Sequence, residues 1–325
     1  MNPEQDDEDA DMGIWVLTAF VLCAVYVQMR GRVRHAGLGR KISDHANLFA
    51  PINCLFYWTS AVRSDPYAAV DQFPELQTLQ ENWETIRDEA LALNDSARIA
   101  ASDRLDDIGF NSFFRSGWKR FYLKWYGASL KSAEQLCPRT VALVNQCQSV
   151  KGAMFAMLPP GGRLVKHRDP YAGSLRYHLG LATPNSPDCY ICVDGQKYHW
   201  RDGEAVMFDE TFIHYAANES DNNRIILFLD VRRPVRLFLV DWFNALFSRL
   251  VVSGTASKNT EADRVGFINK GFYYLYQLRT LAKRVKAWNR PVYYALKYLL
   301  YGGLVYWLFL RGSLEWLARV TGVAG

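Results

Sequence analysis

Between residues 173 and 181 the side chains alternate. Leu175, Tyr177, Leu179 and Leu181 fall on one side of an extended chain, and Ser174, Arg176 and His178 on the other. Period two is the signature of a half-buried strand, and a slip of one residue would invert both faces. The chain around it is therefore tied to a sheet of fixed register. Asp194-Gly195 and Asp202-Gly203 predict tight hairpin turns separating the runs 189–193, 196–200 and 204–208. From residue 224 to 231, Arg224 shares a face with Ile226, Phe228 and Asp230. The expected fold class is a mainly β core with flanking helices, α+β.

Polar residues inside this β region carry the candidate chemistry. His167 and Asp169 are two apart, so in a strand both reach the same side. His214 follows His167 by 47 positions, and Arg224 follows His214 by ten. Two imidazoles and one carboxylate can occupy one face of an Fe(II) ion and leave the other open to co-substrate and oxygen. A His-x-Asp alone is more often an ordinary strand pair; the added His214 and Arg224 make it a candidate centre. Arg224 has two readings. It is a solvated arginine at a strand start, or an inward cation that needs a partner, which a dicarboxylic co-substrate would supply through a two-pronged contact.

Five motifs then resemble one family: H-R-D-P-Y at His167, L-R-Y-H-L-G-L at Leu175, D-G-E-A-V-M-F-D at Asp202, F-I-H at Phe212 and N-R-I-I-L-F-L-D-V at Asn223. They resemble the aspartyl/asparaginyl β-hydroxylases, Fe(II)- and 2-oxoglutarate-dependent dioxygenases, and within them the bacterial lipid A acyl-chain 2-hydroxylase branch. The resemblance extends back to A-P-I-N-C at Ala50 and D-Q-F-P-E-L at Asp71, is strong over about residues 45–235, and is weakest at the C-terminus. It implies a double-stranded β-helix, a jelly-roll or cupin-like core. It implies His167 and His214 as iron ligands, Arg224 as partner of the distal carboxylate of 2-oxoglutarate, and Arg176 and His178 as further co-substrate contacts. Trp118 is implied in the lining of the same pocket. Some animal members carry glycine where Asp169 stands; the carboxylate here is read as a third ligand. Where relatives have a serine contacting the co-substrate, this chain offers Ala156. The cofactor set implied is Fe(II), 2-oxoglutarate and O2.

The remaining chain suggests how such a centre is placed. Residues 1–11 are an acidic tail with six carboxylates, and 12–27 carry no charge. Arg30, Arg32, Arg34, Arg40 and Lys41 follow, which is the reverse of a secretory signal. The expectation is an uncleaved anchor over 12–29, with the acidic tail periplasmic and the enzyme on the cytoplasmic side of a bacterial inner membrane; the other reading is a buried helix. A spanning helix wants about 20 apolar residues, so this one is short. A dioxygenase domain is expected over 30–235, and C-terminal amphipathic and membrane-associated helices over 236–325.

Within the domain, residues 43–63 read as irregular. A helix starts at Asp71 and Pro74 with the apolar stripe Leu76, Leu79, Trp83, Ile86, Ala90. Residues 94–117 read as loop, 118–126 as extended and 133–148 as one helix. Residues 237–252 read as an amphipathic helix with the polar stripe Asp241, Asn244, Ser248, followed by a polar linker over 253–264. A basic cluster at Arg279, Lys283, Arg284, Lys286 and Arg290 precedes a stretch, 291–310, whose one charge is Lys297. That stretch spans a bilayer or lies in its interface, and the basic cluster either attracts anionic lipid or is a solvated face.

Six cysteines show no pairing scheme, and Cys189 and Cys192 lie on opposite faces of a strand, so reduced thiols are expected. A net charge of +5 gives no case for nucleic acid, and no protein partner is expected. Three functions stay open: hydroxylation of lipid A, or its acylated precursor, at carbon 2 of a secondary acyl chain; hydroxylation of protein Asp or Asn; and a non-catalytic, membrane-anchored binding module.

Overall fold

The structure is a computed structural model, which describes residues 3–102, 107–128 and 130–307. Residues 1–2 of the expected tail, 103–106 of the expected loop and 308–325 of the expected C-terminal helices lie outside the described residues. The chain forms two compact units. One runs Met29–Tyr273; the other is built from the described residues before 29 and after 273.

In chain order the elements are α1 (Pro3–Met29), α2 (Leu38–Ile42), α3 (Ala50–Thr59), β1 (Tyr67–Ala68), α4 (Gln77–Glu81), α5 (Trp83–Asp95) and β2 (Lys119–Trp125). There follow α6 (Lys131–Leu136), α7 (Pro138–Gln146), β3 (Val150–Leu158), β4 (Arg163–His167), β5 (Ser174–Ala182), β6 (Cys189–Val193), β7 (Gln196–His199), β8 (Ala205–Phe208), β9 (His214–Asn218) and β10 (Arg224–Arg232). The chain continues with α8 (Phe238–Leu250), α9 (Phe267–Trp288) and α10 (Arg290–Val305).

The strands make two antiparallel sheets, ordered β1-β8-β5-β10-β3-β2 and β4-β9-β6-β7. From β3 onward the chain passes back and forth between them, with β3, β5, β8 and β10 in the larger and β4, the hairpin β6-β7, and β9 in the smaller. That order is a double-sheet jelly roll. β5, the strand with strict period-two alternation, is buried on both faces from Ser174 through Leu181. Helix α5 covers its outer side with Ile86, Ala90 and Leu93. Arg176 and His178 turn into the space between the sheets. Their face is polar because it lines a pocket, not because it meets water.

Several expectations are corrected. The irregular stretch 43–63 contains helix α3, with Pro51 in its first turn, where a missing N–H costs no hydrogen bond. The single helix 133–148 is two, because Pro138 cannot continue α6 and instead starts α7. Asp194-Gly195 is a hairpin turn with φ of 49° and 85°. Asp202-Gly203 is not one: β7 and β8 belong to different sheets, and Asp202 bridges to Gly180. The linker 253–264 is ordered against β2 and α6. Ser257 accepts from Arg120 at 2.9 Å, Asn259 holds both backbone groups of Tyr122, and buried Asp263 accepts from the amide and hydroxyl of Ser132. The compact unit therefore reaches Tyr273, well past the expected boundary at 235.

Among the described residues no helix is long and apolar enough to cross a membrane. Helix α1, over the expected anchor, does expose Trp15, Val16, Leu22 and Val25. All six cysteines are free thiols, with Cys189 in the main core and Cys192 in a separate cluster, as opposite strand faces require.

Candidate metal and co-substrate site

Two neighbouring strands create the site. β4 and β9 pair antiparallel with His167 directly opposite His214, so residues 47 apart in sequence become cross-strand neighbours with ring centroids 4.3 Å apart. Asp169 follows the end of β4, and its Oδ1 lies 3.5 Å from His167 Nε2. One donor atom from each of His167, Asp169 and His214 falls within 4.8 Å of the other two.

The donors are prepared for a cation. His167 Nδ1 lies 2.7 Å from the Val165 carbonyl, and His214 Nδ1 lies 2.9 Å from that of Phe212. Carbonyls only accept, so each ring donates from Nδ1 and turns its Nε2 to the cluster. Burial, with the neighbouring His167, pushes the His214 imidazole down to about 3, so it is neutral. Burial alone would raise the Asp169 carboxyl, but Arg176 and the two imidazoles outweigh it and hold the group below its usual range. This donor set, two imidazoles and one carboxylate, suits Fe(II) with open positions.

The loop leading to His214 is clamped. Arg30 reaches Asp209 at 2.7 Å and Thr211 at 2.6 Å and lies over the rings of Tyr57 and Phe212. Arg233 holds Asp209 from a second side at 2.9 Å. Asp194 accepts from the amides of Arg32 and Val33, and Gly31 sits so close that a Cβ would meet Asp194 Oδ1 at 2.7 Å. None of this clamp was legible as site structure, since Arg30 reads as the first residue of a basic flank.

Arg224 resolves its two readings. It begins β10, is 2 % exposed, and stacks over Trp200 at 4.4 Å. No carboxylate among the described residues pairs with it, and its Nε has no hydrogen-bond partner. Burial pulls its pKa down to about 10. His178 is also fully buried, with neither ring nitrogen bonded, and burial next to Arg224 keeps it neutral. Trp200 Nε1 is likewise unpartnered. Buried polar groups are hydrogen-bonded in nearly all cases, so these unpartnered polar atoms fit a polar ligand. Arg224, His178 and Trp200 line the same pocket as the triad.

Trp118 lines that pocket too, stacked on Phe110 at 5.0 Å. Phe113 lies 5.0 Å from the His167 ring, and Phe228 stacks on His178. Ala156 is buried on β3 opposite Ile226. Arg176 lines the pocket, but its guanidinium is already engaged: Asp169 at 2.6 Å, Asp230 at 3.2 Å, and Glu210. The structure gives it the task of holding Asp169 rather than a free hand toward a co-substrate. Glu210, which no motif pointed to, also binds Ser174 at 2.7 Å. Three carboxylates around one guanidinium cannot all be charged at low cost, and burial with Asp169 and Asp230 nearby pushes Glu210 up to about 8.

Residues 80–234 match the family described as aspartyl/asparaginyl beta-hydroxylase. An ornithine lipid ester-linked acyl 2-hydroxylase of Rhizobium tropici is 40 % identical over 120 residues, covering 37 % of this chain and 43 % of the relative. The human aspartate beta-hydroxylase domain-containing protein 2 is 27 % identical over 217 residues, covering 63 % and 57 %. The chain thus spans less than two thirds of either relative. A prolyl-4-hydroxylase structure from Pseudomonas putida aligns with a TM-score of 0.31 at 16 % identity, covering 48 % of this chain and 88 % of that one. Residues 80–234, which hold the triad, Arg176, His178 and Arg224, are thus the part of the chain that is similar to the aspartyl/asparaginyl β-hydroxylases.

Proposed function

We propose that this chain is an Fe(II)- and 2-oxoglutarate-dependent hydroxylase that acts on carbon 2 of an acyl chain in a membrane lipid, namely a secondary acyl chain of lipid A. The observation that carries the co-substrate assignment is the buried guanidinium of Arg224, unpaired beside the metal-ligand cluster. A carboxylate is the natural counter-ion for such a group, and a two-pronged contact is the strongest that Arg makes.

The chemistry supplied by Fe(II), when bound, is oxidative decarboxylation of 2-oxoglutarate by O2 to succinate and CO2, with the second oxygen atom inserted into a C–H bond. The residues do the rest. His167 and His214 offer their Nε2 atoms because backbone carbonyls engage Nδ1 of each ring. Arg176 keeps Asp169 ionised and aimed. Arg224 takes the distal carboxylate of 2-oxoglutarate, and neutral His178 offers it a hydrogen bond. Phe110, Phe113 and Trp118 wall the pocket with apolar surface that excludes water and suits a hydrocarbon substrate.

Three features support a lipid over a protein side chain. The Rhizobium tropici relative is named for hydroxylating an ester-linked acyl chain. The strand carrying His167 exposes Val165 at 68 %, and neighbouring α2, tied to it by Arg40 on the Lys166 carbonyl, exposes Leu38 and Ile42. Helix α8 turns its polar stripe inward, with Asn244 on the Gly173 carbonyl and Asp241 on Arg232, and shows Leu239, Trp242, Leu246 and Leu250 to the outside. For location, the basic residues after the apolar run favour the cytoplasmic face of a bacterial inner membrane, which the chain would meet without a helix long and apolar enough to span among its described residues.

The test is mass spectrometry of total lipids from a non-hydroxylating Gram-negative host that makes the wild-type chain or His214→Ala. One added oxygen on a secondary lipid A acyl chain, present with wild type and absent with the variant, is the expected result. The same gain on an ornithine lipid instead would transfer the substrate to that lipid, and an oxygen found only on protein Asp or Asn would refute a lipid substrate.

A further inference from the structure

A second cavity, of about 880 Å³, lies among the start of β5, the end of β10, α8 and the segment 253–266. It shares no described lining residue with the iron pocket. Ser174 on its wall donates to Glu210, which holds Arg176 in the wall of that pocket. Two separate hollows thus back onto one buried charge cluster.

The described lining residues of this cavity include Lys131, Lys151, Arg232, Arg249 and Arg264, and no carboxylate. They come from α6, β3, β10, α8 and the ordered segment after it, so the fold gathers cations that are far apart in sequence. Arg232 is paired with Asp241 at 2.6 Å, yet its Nε is buried without a partner. Lys151 is half-buried and donates to the Gln148 carbonyl at 2.8 Å. Burial and the nearby Arg232 lower its proton affinity, against the pull of Glu75 and Asp241. The Glu75 carboxylate is itself engaged by the amides of Gln148 and Ser149. Among the described residues no carboxylate pairs with Lys131, Arg249 or Arg264, and all three are exposed.

Like charges converging on one hollow raise each other's energy, and an entering polyanion relieves them together. Three guanidiniums favour a group with several oxygens in a plane or tripod, and the hollow is far larger than one carboxylate needs. We propose that this basic cleft binds a phosphate- or diphosphate-bearing group, independently of what the iron site oxidises. Such a group comes either on a soluble molecule or on a lipid headgroup. Ala245, Ser248 and Arg249 of α8 line the cleft while Trp242, Leu246 and Leu250 on the same helix face outward, which suits the second source.

The test uses the full chain, freed of metal so that iron cannot capture the probe, beside the triple variant Lys131→Gln/Arg249→Gln/Arg264→Gln. These three residues are exposed, and an unchanged thermal midpoint confirms that the variant folds. Calorimetry with pyrophosphate should show binding to wild type that weakens about tenfold or more in the variant. If pyrophosphate does not bind, a wild-type preference for phosphatidylglycerol over phosphatidylcholine vesicles that the variant loses would assign the cleft to a headgroup. Binding of neither probe by wild type, or equal binding by both proteins, would overturn the proposal.

Discussion

At the scale of single residues, the buried cluster of Arg176, Asp169, Glu210 and Asp230 sets the electrostatics of the site. Glu210 is the member that holds a proton near neutrality, pushed up to about 8 by burial and its carboxylate neighbours. Between its unfolded value, near 4.5, and 8, the native state binds more protons than the unfolded one. Stability from this group is therefore full below about 4.5 and falls as pH rises toward 8. In the metal-free protein, Glu210→Gln should flatten that loss. Thermal midpoints at about pH 5.5 and pH 8.5 should lie several degrees closer together in the variant than in wild type, on the order of 7 °C. An unchanged difference would mean that the shared proton sits elsewhere. Residues of this kind were the least legible. His167, Asp169, His214 and Arg224 announce themselves because polar types at strand spacing are costly unless used. Glu210 and Trp200 are ordinary residues in sequence, and become site residues only when a turn brings one to Arg176 and the stack brings the other to Arg224.

At the scale of elements, the strands were legible and the helices less so. Alternation in β5 and β10 identifies both strands, yet the burial of both faces of β5 depends on α5, which packs on it from another part of the chain. The stripe Asp241, Asn244, Ser248 on α8 was visible, but its orientation was not. Such a stripe ordinarily faces water; here Asn244 and Asp241 dock on the protein, since β10 and the residues before β5 offer Arg232 and the Gly173 carbonyl as partners. The exposed apolar side of α8 should then meet lipid. Trp242→Ser/Leu246→Ser should lower vesicle co-sedimentation at least about tenfold. Because both side chains are exposed, the unfolding free energy should stay within roughly 0.5 kcal/mol of wild type. Unchanged vesicle binding would remove α8 from the lipid-contacting surface.

At the scale of the whole molecule, the resemblance marked residues 45–235 strongly, while the compact unit extends to Tyr273. The difference lies in hydrogen bonds that no motif encodes. Ser257 on Arg120, Asn259 on Tyr122, Asp263 on Ser132 and Asn269 on the Ile108 amide tie the segment to β2, α6 and the loop before β2. Ending the chain at residue 235 strips these partners from groups that stay buried, and should cost at least about 4 kcal/mol by denaturant unfolding. A chain over 29–273 should keep the stability of this unit, whereas equal stability of the two truncations would show that the segment is an accessory.

The proposed activity requires one pocket that holds Fe(II) through His167, Asp169 and His214 and 2-oxoglutarate through Arg224. Its most direct test is an anaerobic titration of the full chain with Fe(II) and then 2-oxoglutarate, followed by visible charge-transfer absorption. Wild type should develop a band that needs both additions. His214→Ala should show none, and Arg224→Ala should need about 100-fold more 2-oxoglutarate, the loss expected when a two-pronged charged contact is removed. A wild-type protein that binds Fe(II) without any response to 2-oxoglutarate, or an Arg224→Ala variant that titrates like wild type, would contradict the account.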